Sequence, residues 1–101
     1  MAQAIYKLWL AKPTEAWYQL SQEEHNQLLA KNDEVLKEAG GERVIVCNSE
    51  WAAEQWSLWG VEKFPSLEAL QKHTQLLSEL SWFRYIESMT ILGSEPQMPQ
   101  A

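Results

Sequence analysis

The chain is poor in the residues that build covalent or metal frameworks: among 101 residues there are one cysteine, two histidines, four glycines and four prolines. A single cysteine, Cys47, excludes a disulfide within the chain, and its place in Val44-Ile45-Val46-Cys47 reads as a small buried hydrophobe. There is no CxxC pair, no HExxH, no GxGxxG and no phosphate loop, and the histidines and the cysteine are not spaced as metal ligands, so no metal is expected. No apolar run approaches the roughly 18 residues of a membrane span, and Met1 to Lys7 lacks the charged and apolar regions of a signal peptide. A cytoplasmic protein without membrane contact is the expectation. Basic residues are scarce too: 8 Lys and Arg stand against 14 Asp and Glu, a net charge of -6, with no basic cluster. Nucleic acid and anionic surfaces are therefore poor partners.

What the chain does have is tryptophan, six of them (Trp9, Trp17, Trp51, Trp56, Trp59, Trp82), and an ordered series of periodic segments. Ala4 to Ala11 alternates like a strand and ends before Lys12-Pro13. Thr14 to Leu20 suits a short helical turn within a longer connection. Ser21-Gln22-Glu23-Glu24 matches a capping box that opens a helix, and Gly40-Gly41 supplies the stop. Arg43 to Ser49 is β-branched and reads as a second strand, with Trp56 to Phe64 as a third, antiparallel to it. Ser66 caps a second helix running to about Leu80, and Phe83 to Leu92 reads as the fourth strand. The order is βαββαβ, the ferredoxin-like α+β arrangement of a four-stranded antiparallel sheet with two helices on one face. Residues 1–93 form that domain, and 94–101, with two prolines and few apolar groups, read as a disordered tail.

Such a sheet leaves one face bare, yet the strands are apolar on both faces: Tyr6, Leu8 and Leu10 alternate with Ile5 and Trp9, and Trp56 and Leu58 with Trp59 and Val61. A water-facing side would alternate with polar residues instead. A second copy of the chain is the expected cover, making a homodimer.

The order of elements, the segment Val61-Glu62-Lys63-Phe64-Pro65-Ser66-Leu67-Glu68-Ala69 and the closing Trp82-Phe83-Arg84-Tyr85-Ile86-Glu87-Ser88 resemble small bacterial proteins of the dimeric α/β-barrel superfamily. The resemblance spans about residues 4–93. The superfamily includes cofactor-independent monooxygenases of the antibiotic-biosynthesis type, haem-degrading monooxygenases and stress-responsive barrel proteins, and this chain is most similar to an uncharacterised group. In haem-degrading members a helix histidine binds iron beside a sheet tryptophan, places that His73 and Trp59 would take here. Those enzymes also carry a polar residue on the first strand with no clear counterpart at Tyr6, Lys7 and Leu8. The expectation is no resident cofactor, with haem as the alternative.

Helical spacing shows where chemistry could sit. On the second helix Leu67, Leu70, Leu77 and Leu80 share one half of the wheel, and His73 lies in its middle. On the first, His25 and Asn32 fall on the arc of Leu28, Leu29, Val35 and Leu36. Three polar groups thus aim at the space between helices and sheet, where they form a sealed network or line a pocket. As a pocket, His73 and His25 are the candidate acid-base groups, and Asn32, Tyr6, Trp59, Tyr85 and Glu87 the candidate ligand contacts. Aromatic walls with few polar groups suit a small aromatic or hydrophobic molecule, which a monooxygenase-like reaction could oxidise. The alternative is a non-catalytic stress-responsive or regulatory dimer whose aromatics fill core and interface.

Overall fold

The computed structural model describes residues 3–96. Strands β1 (Ile5–Pro13), β2 (Glu42–Asn48), β3 (Leu58–Phe64) and β4 (Ile86–Gly93) form one antiparallel sheet in the order β2-β3-β1-β4. Helices α1 (Glu15–Tyr18) and α2 (Gln22–Glu38) follow β1, and α3 (Leu67–Glu79) and α4 (Trp82–Tyr85) follow β3. This is the ferredoxin-like α+β fold.

Local chemistry sets the helix limits. Ser21 accepts from the Glu24 N–H at 3.1 Å while the Glu24 carboxylate accepts from the Ser21 N–H at 2.9 Å, a complete capping box. Gly40 ends α2 with φ 81°, and Gly41 cannot carry a side chain, since a Cβ there would stand 2.5 Å from Leu36 and 2.7 Å from Phe64. Ser66 caps α3 through the Ala69 N–H at 3.1 Å. The strand expected from Phe83 begins later, at Ile86. Ser81, at φ 57°, turns the chain into the short helix α4 instead. Thr14 anchors the end of that helix: its hydroxyl donates to the Arg84 carbonyl at 2.8 Å and its N–H to the Tyr85 carbonyl at 2.9 Å. Of the expected tail, Glu95 accepts a hydrogen bond from the Tyr6 hydroxyl at 2.8 Å, and 97–101 lie outside the described residues.

Sheet register sorts every strand residue onto one of two faces. Toward the helices lie the rows Arg43–Glu62–Lys7 and Val46–Gly60–Trp9–Thr90. A bulge between Arg43 and Ile45 lets both Arg43 and Val46 take this side. Away from the helices lie Ile45–Val61–Leu8–Ile91 and Cys47–Trp59–Leu10–Met89. Cys47, read from sequence as buried, is half-exposed on this open face.

The helices press on the sheet at one end, where Leu36, Phe64 and Leu70 form a buried cluster joined by Ile5 and Ala69. Toward the other end the layers part and leave a cavity.

Candidate functional site

The cavity holds about 480 Å³, within the range of small-molecule sites. Its walls are aromatic and aliphatic: Trp9 from β1, Trp17 from α1, Leu77 from α3, and Trp82 and Phe83 from α4. Trp9 lies across Gly60, whose missing Cβ would stand 2.6 Å from the indole. Trp17 is held by His25, which stacks on it with ring centroids 4.1 Å apart and planes within 6°, and whose Nε2–H donates to the Trp17 carbonyl at 2.6 Å. His25 thus braces the wall and does not itself line the cavity.

The deep end is polar. Lys7 on β1 faces Glu62 on β3, which faces Arg43 on β2. Lys7 is 8% exposed and Glu62 5%, both line the cavity, and neither side chain has a hydrogen bond or an ion pair within 4.0 Å among the described residues. Burial pushes the Lys7 ammonium pKa down, with Glu62 opposing, and pushes the Glu62 carboxyl up, with Lys7 and Arg43 opposing. Arg43 at the rim is paired with Asp33 at 2.7 Å and donates to the Asn32 side-chain oxygen Oδ1 at 3.3 Å. Above them His73 is 1% exposed, tilted against Phe64 with centroids 5.2 Å apart. Both ring nitrogens are enclosed without a partner, and burial, then the charges of Lys7 and Arg43, bring its pKa down to about 4. It is a neutral imidazole at pH 7.

Of the residues singled out from sequence, the structure brings His73 and Asn32 to the cavity. Tyr6, Trp59 and Glu87 are one residue out of phase with its lining and stand on the open face, where Glu87 pairs with Lys12 at 3.5 Å and Lys63 sits 5.8 Å from the Tyr6 ring centre. Tyr85 is half-buried beside the Arg84 guanidinium, outside the lining. Lys7 and Glu62 went unselected, although a signal existed: each keeps phase with apolar neighbours, Ile5-Lys7-Trp9-Ala11 and Gly60-Glu62-Phe64.

No protein-family model matches the chain, and no curated protein matches it in sequence. Solved structures do match in fold. The methylated RPA0582 protein aligns over 99% of this chain and 86% of its own, with TM-score 0.69 and 16% identity. RPA0582 of Rhodopseudomonas palustris, described as of unknown function, gives TM-score 0.67 at 17% identity over 98% of this chain and 86% of its own. A haem-binding protein from Thermus thermophilus matches with TM-score 0.63 and 17% identity over 93% of this chain, which spans 40% of that protein. At these identities the likeness establishes the fold. As for haem, His73 turns no ring nitrogen into the cavity and His25 spends its Nε2–H on Trp17, so neither is placed as an axial ligand.

Proposed function

We propose that this chain binds a small aromatic or hydrophobic molecule in the cavity between helices and sheet, as a homodimer whose second copy covers the open sheet face. The observation that carries the binding reading is the pairing of an indole-lined cavity of about 480 Å³ with the buried Lys7 and Glu62 side chains in its wall, which make no ion pair within 4.0 Å among the described residues. Native interiors rarely leave such groups unpaired, and a ligand or water is the usual resolution. The dimer reading rests on the open face, where Ile45 (46% exposed), Met89 (49%) and Ile91 (57%) continue apolar rows across all four strands.

The test is titration of the full chain with naphthalene-2-carboxamide, followed by tryptophan fluorescence. Saturable quenching is expected, because three of the six indoles wall the cavity. Absence of saturation by about 1 mM, a binding free energy of only about 4 kcal/mol, for this amide and for the matching carboxylate alike would remove the reading.

A non-catalytic dimer is the second reading, and one observation favours it: both nitrogens of His73 are enclosed, which suits a core group. His73→Leu separates the two. Undiminished probe binding with equal or higher stability assigns the imidazole to the core, whereas lost binding in a folded chain assigns it to the ligand. The haem reading draws on the Thermus neighbour and on the resemblance to haem-degrading barrels, and hemin titration checks it: from the placement of His25 and His73, no histidine-ligated absorption band is expected.

A further inference from the structure

Along β1 the residues facing the helices are Ile5, Lys7, Trp9 and Ala11, so a lysine occupies a position that the alternation otherwise gives to apolar side chains. It is buried, it lines the cavity, and among the described residues no carboxylate lies within 4.0 Å of it and no hydrogen bond satisfies it. Glu62, its neighbour across the sheet pair, acts on this ammonium only from beyond 4.0 Å, and a binding site is where a buried charge without a contact partner has a use. We propose that Lys7 is the anion-binding group of this cavity and that the ligand is an amphiphilic organic weak acid. Its apolar or aromatic body lies among Trp9, Trp17, Trp82 and Phe83, and its carboxylate or phenolate head meets the Lys7 ammonium. The inference deepens the binding reading above and rests on it.

The groups around the head come from five elements. Lys7 projects from β1, Glu62 from β3, Arg43 from β2, Asn32 and Asp33 from α2, and His73 from α3. Asp33 is committed to Arg43 at 2.7 Å. The remaining acid of the lining, Glu62, stands between Lys7 and Arg43 in the sheet row, so it is flanked by cations on both sides. Burial first, and then the same two cations, hold His73 neutral. The lining thus sets two cations against two carboxylates, and Lys7 is the cation that no carboxylate among the described residues contacts, while the whole chain carries a net charge of -6. That contrast helps the test, because the chain as a whole repels anions and a preference for them must come from the site. Binding also has a proton consequence. The ligand's charge restores the Lys7 ammonium against burial, and it favours the protonated Glu62 carboxyl, which can donate its O–H to the head.

The experiment compares naphthalene-2-carboxylate with naphthalene-2-carboxamide, two probes of one shape, by calorimetry on the full chain near neutral pH. The carboxylate is expected to bind about tenfold or more tightly than the amide. Lys7→Met should abolish that preference by weakening the carboxylate to the level of the amide, and Ser21→Ala, at the start of α2 and outside the cavity lining, should leave the preference in place. Equal binding of the two probes by the wild-type chain, or a preference that survives Lys7→Met, overturns the anion site while the cavity reading stands. Binding of neither probe overturns both. Where Lys7→Met does not fold, the wild-type chain alone decides: the carboxylate preference should collapse with rising pH as Lys7 loses its proton, with amide affinity flat, and a preference unchanged to about pH 11 overturns the assignment.

Discussion

The two faces of this sheet are built from the same four strands in one register and could hardly differ more. On the helix side one row runs Arg43–Glu62–Lys7–Leu92, with Glu62 and Lys7 buried and Arg43 at the rim, and the next is filled by an indole lying over a glycine. On the other side two rows, Ile45–Val61–Leu8–Ile91 and Cys47–Trp59–Leu10–Met89, carry no charge at all. The side enclosed by its own helices thus keeps a row of ions, and the side left to solvent keeps two rows of hydrocarbon. That inversion is the reverse of what burial free energy favours in an isolated domain. It is the ground for the proposal that each face is completed by something beyond the chain: a polar-headed ligand on one, a second apolar sheet on the other.

Substitution at the centre of the open face should break the comparison most severely. Val61→Glu places a carboxylate between Ile45 and Leu8, and two-fold symmetry makes the change appear twice. Loss of the dimer is expected, with a penalty of roughly 3 to 5 kcal/mol for unpaired buried charge, as a halved mass in light scattering. A wild-type chain that is already monomeric at micromolar concentration contradicts the covered-face reading directly.

The helix side responds to pH instead. His73 titrates at about 4 in the folded chain against about 6.5 in the unfolded one, so between those values the unfolded state holds the extra proton. Its contribution is fully present above pH 6.5 and is lost as pH falls toward 4, amounting to about 3 kcal/mol at the lower end. Denaturant midpoints measured from about pH 7 to 4 should show this slope, and His73→Leu should flatten it. A slope unchanged in the variant would place the sensitivity in another group of that face, of which Glu62, whose carboxyl pKa burial raises, is the candidate.

Gly60→Ala sharpens the comparison from the seam between the faces. The new methyl would meet the Trp9 ring and the Ile45 carbonyl at 2.6 Å, so the indole must swing into the cavity or the strands must part. A loss of about 1 to 3 kcal/mol is expected, with weakened naphthalene binding and an intact dimer. Ser21→Ala is the smallest change and touches neither face. Removal of the cap should lower stability by about 1 kcal/mol and leave ligand affinity and oligomeric state as they were.

The helices were legible because their signals are local. Ser21 and Glu24 satisfy each other within one turn, and Gly40 takes the left-handed angle that its side-chain hydrogen allows. Helix α4 was not, because Trp82-Phe83-Arg84-Tyr85 has strand-like composition and its turn depends on Ser81 at φ 57°, where no glycine marks it. The site divided along the same line. His73 was found because a helix wheel reports its own inward arc. Lys7 and Glu62 were passed over in favour of Tyr6, Trp59 and Glu87 because alternation gives two faces without saying which one the helices cover.

The six tryptophans allow the central claim, that ligand and partner use opposite faces, to be read in a single titration. Indole N–H resonances of the ¹⁵N-labelled chain are followed as naphthalene-2-carboxylate is added at constant protein concentration. Trp9, Trp17 and Trp82 line the cavity and are expected to shift together along one saturation curve, while Trp59, on the open face, stays in place. Movement of Trp59 with Trp9, Trp17 and Trp82 unmoved would put the ligand on the open face and contradict the division of the sheet proposed for this protein.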